Sequence, residues 1–210
     1  SLFEFIFKNT DCNKIVVAGS CWEYGKNQGV CKESDSITLK SYFAWAKHSL
    51  NQYLSYECKK NNIIFNWFRI FYVYGPGQRA GSLVPMLIES ISKSQRPSIN
   101  NPMNRNDFIY VKDVSKAFEN AINLDIPSGI YNLGSGQATS VYDLCKIVEK
   151  KILDSKTISK KINKKEIRTV DMNFWANMEK TKQALDLTFD FSINDGIGNQ
   201  IASMNINTIK

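Results

Sequence analysis

Ser20 and Lys47 are the two residues whose types and placing could do chemistry together. Ser20 ends the run Lys14-Ile-Val-Val-Ala-Gly-Ser20, which reads as a buried strand closing in small residues. In an open α/β sheet, ligands sit outside the carboxyl ends of the strands, which is where such a serine stands. Its hydroxyl could hydrogen-bond a substrate oxygen. Lys47 falls on a helical pattern over about 41–60. A lysine one turn after a tyrosine shares its helix face, so it can hold a ribose and, as a nearby cation, favour the tyrosinate of an acid/base catalyst. Here the position four before Lys47 is Phe43, which has no hydroxyl. Tyr42 is adjacent, but one helical step turns about 100° and should face it away. Plainer readings stay open beside these: Ser20 as a turn residue, Lys47 as a surface lysine.

The elements that must position these groups read as an α/β pattern. A helix end over 2–8 precedes the first strand, and a long polar connection covers 21–40. The 41–60 helix stops at Asn61-Asn62 and carries Phe43, Ala46, Leu50, Tyr53, Leu54 and Tyr56 as an apolar stripe. Residues 63–73 are almost continuously apolar, as a parallel strand covered on both faces requires. Strand, long helix and strand make a βαβ unit. Further on, helices are expected over 83–92, 114–124 (entered through Asp113), 140–151 (capped by Ser140), 178–187 and from about 192, with strands over 107–111 and 129–134. Gly75-Pro-Gly77-Gln-Arg-Ala-Gly81 and Gly134-Ser-Gly136-Gln-Ala-Thr139 both lack the G-x-G-x-x-G spacing of a dinucleotide cradle and read as turns at strand ends.

Composition excludes several function classes. With 43% hydrophobic residues, the 210-residue chain reads as a packed globule, and no apolar run approaches the roughly 20 residues that span a bilayer. A start mid-pattern at Ser1, without a basic leader, suggests a fragment rather than a signal peptide. Six of the seven net positive charges fall between Lys146 and Arg168. That run has no interleaved aromatics and no recognition motif, so a solvated surface is expected and nucleic-acid binding is not. Five cysteines without C-x-x-C spacing argue against a disulfide framework or a metal site, and a reducing, cytoplasmic compartment fits best. His48 is the only histidine and shows no positioned partner for a triad.

The runs Val17-Ala-Gly-Ser-Cys-Trp-Glu-Tyr-Gly25, Arg69-Ile-Phe-Tyr-Val-Tyr-Gly-Pro-Gly-Gln78, Asp107-Phe-Ile-Tyr-Val-Lys-Asp113 and Gly129-Ile-Tyr-Asn-Leu-Gly-Ser-Gly136, with the helix bearing Lys47, resemble the extended short-chain dehydrogenase/reductases in their nucleotide-sugar epimerase/dehydratase branch. The resemblance covers nearly the whole chain in order. It implies the later strands of a Rossmann-type parallel sheet with helices on both faces over 1–78, and a mainly nucleotide-sugar-binding, mixed α/β lobe over 79–210. Residues 107–125 could return to the first unit. The family's glycine fingerprint and about three βα units have no counterpart here. Homodimerisation through the 42–60 helix is an expectation by analogy.

Carried over by position, the resemblance makes Ser20 the group on the reacting sugar oxygen and Lys47 the holder of the nicotinamide ribose of NAD or NADP. Phe43 stands in the place of the acid/base tyrosine. Phe71 and Tyr72 match the segment lining the nicotinamide, Tyr72 standing where an Asn is common, and Tyr72 is also expected to reach the sugar. Ser82 and Leu83 match the segment over the nucleotide-diphospho-sugar. Arg168 matches a diphosphate-binding arginine. A second such arginine usually precedes Asp107 directly, but Asn106 does here, with Arg105 one residue earlier. Cys21-Trp22 occupy the positions of the dehydratase acid/base pair and cannot act as one. The run Gly19-Ser-Cys-Trp-Glu-Tyr-Gly25, with Gly29-Val-Cys31 and Glu33, looks most like the 4-ketoreductases of dTDP- or CDP-linked 6-deoxyhexoses. A 4-epimerase and a non-catalytic nucleotide-sugar-binding protein are the alternatives.

Overall fold

The computed structural model describes residues 2–25, 29–155, 157–165 and 173–206. Helix α1 (Leu2–Asn9) leads into β1 (Lys14–Ala18), and a single 3-10 turn at Cys21–Tyr24 and a short β2 (Gly29–Cys31) interrupt the connection to α2 (Tyr42–Lys60). Ser41 caps α2 by accepting from the Ala44 amide at 3.1 Å, and the helix ends at Asn61, followed by Asn62 in the left-handed region at φ 56°. The chain returns as β3 (Ile64–Ile70), parallel to β1 from Lys14↔Ile64 to Ala18↔Phe68. Beyond β3 lies β7 (Gly129–Leu133), also parallel, giving the order β1-β3-β7. With both neighbours and both faces covered, the five central residues of β3 are all buried, which explains a run that is apolar except for Asn66 and Arg69.

Three expectations need correction here. The 63–73 run is not one strand: the Phe71 amide still donates to Leu133 O of β7 at 2.9 Å, but the next amide, of Tyr72, donates to Asp107 O at 3.0 Å. The chain changes partner between these residues, so β4 (Tyr72–Tyr74) belongs to a separate parallel pair with β6 (Phe108–Tyr110). Helix α4 (Val111–Asn123) begins directly after β6 rather than at 114, with Asp113 inside its first turn. The stripe on α2 holds only in part. Its buried face is Ala44, Asn51, Leu54 and Cys58, packed on β3 with Leu50 beside them, while Tyr53 and Tyr56 face outward and Phe43, at the start of the helix, is half exposed.

The second half builds around α3 (Leu83–Ser92), α5 (Val141–Leu153) and α8 (Ile193–Ser203), whose apolar faces meet with Tyr74 and Tyr110 in one core. Ser140 caps α5 as expected, accepting from the Asp143 amide at 3.0 Å. A small sheet of order β2-β9-β5-β8 joins the two halves through β9 (Phe174–Ala176), β5 (Arg105–Asn106) and β8 (Thr139–Ser140). Helices α6 (Thr157–Lys160) and α7 (Glu179–Leu185) complete the chain. Fully buried Asp107 fastens this junction: Oδ1 accepts from the Ser135 amide and hydroxyl, both at 2.6 Å, and Oδ2 from the Gly136 and Ala176 amides, both at 3.0 Å. Burial raises the Asp107 pKa, and the four donors only partly offset it.

Candidate active site

Beyond the carboxyl ends of β1 and β3 lies a cavity of about 530 Å³. Its wall comes from the 3-10 turn (Ser20, Cys21, Trp22), the start of α2 (Phe43), the β3–β4 passage (residues 70–74), the following loop (Gln78, Arg79), the start of α3 (Ser82, Leu83, Val84) and the 106–108 segment (Asn106, Phe108). Five expected site residues therefore meet in one place, Ser20, Phe71, Tyr72, Ser82 and Leu83, and Phe43 lines the wall beside them.

Ser20 is held by a capping box around the 3-10 turn. Its Oγ accepts from the Trp22 amide at 3.2 Å, and its own amide donates to Glu23 Oε1 at 3.1 Å. The hydroxyl proton remains free to donate to a ligand oxygen. Glu23 is fully buried and accepts also from Trp67 Nε1 at 2.9 Å, while Arg69 Nε faces Oε2 at 3.4 Å. The Arg69 guanidinium lies 4.5 Å over the Tyr24 ring and donates to Glu33 O at 3.3 Å. Tyr24 donates to Asn132 Oδ1 at 2.6 Å, and burial pushes its hydroxyl pKa up, so it stays protonated in that role. Ser20 thus stands on a buried polar platform. The sequence signal for it is the S-x-x-E spacing of Ser20 and Glu23, a capping-box pattern whose meaning depends on where the turn falls.

Lys47 does not line the cavity. Its Nζ donates to Ala18 O at 2.8 Å, at the carboxyl end of β1, and sits 5.9 Å from the Phe43 ring centroid. Tyr42 is 95% exposed, on the outer side of α2. Arg105 is likewise outside the wall, its guanidinium donating to Ala138 O at 3.1 Å, and the neighbouring Asn106 lines the cavity instead. Arg168 lies outside the described residues.

Arg79 was not singled out from the sequence, because it sits in a glycine-rich stretch that reads only as a turn. It is the one Asp, Glu, Lys, Arg or His among the cavity's described lining residues. Beside it the N-terminus of α3 opens onto the cavity, and its cap residue Ser82 makes no side-chain cap bond. A cation, free helix-start amides and a free hydroxyl together favour an anion, phosphate above all.

A nicotinamide dinucleotide fits these residues in part. Phe71 and Tyr72 line the cavity after β3, and Lys47 is held outside it on Ala18 O at the carboxyl end of β1, the three residues that the resemblance would give to a nicotinamide and its ribose. The glycine spacing that a dinucleotide pyrophosphate needs is in neither glycine cluster, and the 75–81 cluster instead carries Arg79 and leads into α3.

Known proteins bear on this geometry. The chain is 28% identical over 155 residues to the dTDP-4-dehydro-6-deoxyglucose reductase of Escherichia coli, covering 71% of this chain and 49% of that protein. It is 24% identical over 123 residues to the CDP-abequose synthase of Salmonella muenchen, covering 58% and 42%. In these matches the chain spans about half the length of its relatives or less. The fold matches the crystal structure of the UDP-glucose 4-epimerase of Thermotoga maritima with UDP-glucose at a TM-score of 0.83 and 22% identity, over 97% of this chain and 67% of that one. The sheet is therefore Rossmann-type. Since the family model for the NAD dependent epimerases and dehydratases matches residues 1–134, well over half of the chain, this protein belongs to the NAD dependent epimerase/dehydratase family.

Proposed function

We propose that the protein carrying this chain reduces the C4 keto group of a nucleotide-diphospho-4-keto-6-deoxyhexose with NADH or NADPH. The observation that carries this reading is a cavity with a free serine hydroxyl and no carboxylate or histidine among its described lining residues. Dehydration needs a base to take a carbon-bound proton, and the one thiol on the wall, Cys21, is buried, its pKa raised by burial and by Asp107. Carbonyl reduction needs only polarisation of the oxygen and a proton donor. In this reading Ser20 Oγ donates to O4 of the sugar, and Lys47, held on Ala18 O, positions the nicotinamide ribose. Phe71 and Tyr72 flank the ring. Arg79, Ser82 and the first amides of α3 receive the diphosphate, with Arg105 and Arg168 as the further arginines that the resemblance implies. Residues 1–78 form the cofactor side, helped by 107–125, and the remainder of 79–210 forms mainly the sugar-nucleotide side. A bound reduced nicotinamide would supply the hydride.

One observation favours a second reading. Phe43 faces the cavity where a tyrosine would act, which suits a binding protein without turnover. A 4-epimerase would use the same groups with a cofactor that never leaves. The test is the full-length protein mixed with NADH or NADPH and dTDP- or CDP-4-keto-6-deoxyhexose. Stoichiometric cofactor oxidation supports reduction; tight sugar-nucleotide binding without oxidation supports the binding protein; NAD(H) released only on denaturation, with interconversion of C4 epimers, supports the epimerase. We also propose a homodimer through the exposed aromatic face of α2.

A further inference from the structure

The proposed reduction leaves one proton without a source, because Phe43 carries no hydroxyl. Four side chains of the cavity wall can ionise: Cys21, Tyr72, Tyr74 and Arg79. Arginine does not give up its proton in proteins. Cys21 is buried, and its thiol shares its surroundings with Asp107 and Cys31. Tyr74 is buried with its hydroxyl pressed toward Gly196 of α8, where there is no space for even a Cβ, so that hydroxyl points into the core. Tyr72 remains. It is half-buried, its ring is stacked at a tilt between Phe108 (6.0 Å) and Phe174 (6.2 Å), and its hydroxyl has no hydrogen-bond partner among the described residues. Its backbone is fixed by the bond from its amide to Asp107 O at 3.0 Å. Tyr72 and Ser20 line the same cavity, one from the β4 strand and the other from the 3-10 turn after β1.

We propose that Tyr72 Oη is the proton donor of this site, taking over from the β4 strand the role that Phe43 cannot fill from α2. The inference rests on the reductase reading above. As the C4 carbonyl carbon accepts a hydride from the reduced nicotinamide dinucleotide, the carbonyl oxygen takes the Tyr72 proton. The Tyr72 O–H bond breaks, an O–H bond forms on O4, and the phenolate left behind recovers a proton from water. Burial raises the Tyr72 pKa, with Cys21 adding to it, so the residue arrives at each cycle protonated, as a donor must. Ser20 would hold O4 by its hydroxyl proton without having to part with it.

Tyr72→Phe removes the hydroxyl and keeps both ring contacts, so the variant is expected to melt with its parent. In the full-length protein, single-turnover NAD(P)H oxidation by Tyr72→Phe should fall about 100-fold or more, the usual span for loss of a general acid. Adding Phe43→Tyr to that variant should restore most of the rate. Binding gives an independent readout: Tyr72→Phe should weaken a 4-hydroxy sugar nucleotide about fivefold and leave the bare nucleoside diphosphate unchanged, the scale of one hydrogen bond. Oxidation by Tyr72→Phe within threefold of the parent overturns the inference and leaves the reductase reading intact. A parent that is inactive until Phe43→Tyr is introduced overturns it too. If neither parent nor Phe43→Tyr oxidises cofactor with any 4-keto sugar nucleotide, the reductase reading itself fails and takes the inference with it.

Discussion

At the residue scale, what distinguishes Ser20 is that its two backbone-directed bonds are made by the same turn that presents it. Ser20→Ala should therefore do two separable things. Cofactor oxidation should fall about 100-fold or more, and stability in urea should drop about 1 kcal/mol from the lost cap. Ser20→Thr keeps the cap and should recover the stability. Glu23→Gln leaves Arg69 buried without its counter-charge, so it should destabilise by about 3 kcal/mol or more although it touches no ligand. Of the residues that the resemblance singles out, those that line the cavity stand at the ends of elements: Ser20 after β1, Phe71 and Tyr72 at the β3–β4 passage, Ser82 and Leu83 at the start of α3. Arg79 was not legible because a flexible charged side chain in a loop has no periodicity to betray its direction. Lys47 and Arg105 were placed near the site by position, but the structure gives their cations to the backbone carbonyls of Ala18 and Ala138.

At the scale of elements, the close approach between β1 and β3 depends on Gly19. A Cβ there would collide with the Trp67 indole, whose Nε1 is committed to Glu23, and with Phe68 O at 2.9 Å. Gly19→Ala should lower the melting temperature and disturb Ser20 next door, seen as weaker sugar-nucleotide binding alongside lost stability. A second device sits far from the cavity. Fully buried Glu149 of α5 accepts from the Ile158 amide at 2.6 Å and the Ser159 amide at 2.9 Å, fixing the start of α6. Burial alone would raise its pKa, but bonds from Ser159, Ile158 and Ser155 together hold it below the ordinary carboxylate value. A lowered folded pKa means stability that is fully present above about pH 4.3 and lost as pH falls through the folded value. Urea unfolding of the parent should weaken over that acidic window, and Glu149→Gln should be less stable at pH 7 yet flatter below pH 4. Periodicity recovered α3 to the residue and the cap of α5. It could not show the break at Phe71, since a strand that changes neighbours keeps the same apolar texture.

At the scale of the molecule, α2 presents aromatic side chains outward: Tyr42, Trp45 (57% exposed), Tyr53 and Tyr56 (68% exposed), at spacings of three, eight and three. These spacings keep them near one helix face, and exposed apolar patches of this kind mark association surfaces. Trp45→Glu with Tyr56→Glu should shift the sedimenting species from dimer to monomer without changing the helix content. If the parent sediments as a monomer at micromolar concentration, the dimer proposal fails. The α/β class was readable from the alternation of runs. The small sheet that joins the halves was not, because β5 and β8 are two residues long and β2 and β9 three, too short for any pattern.

Asp107 has a consequence for the order of events in folding. Its carboxylate gathers amides that lie 28 and 69 residues further along the chain. Loop closure over such separations is entropically costly, so this knot should tie late, after the βαβ unit and the α3–α5 pair have formed from more local contacts. Asp107→Ala should then mainly speed unfolding in a chevron experiment and leave the refolding limb nearly unmoved. Tyr72 hangs from the carbonyl of this same residue, so the cavity should acquire its shape only in the final step of folding.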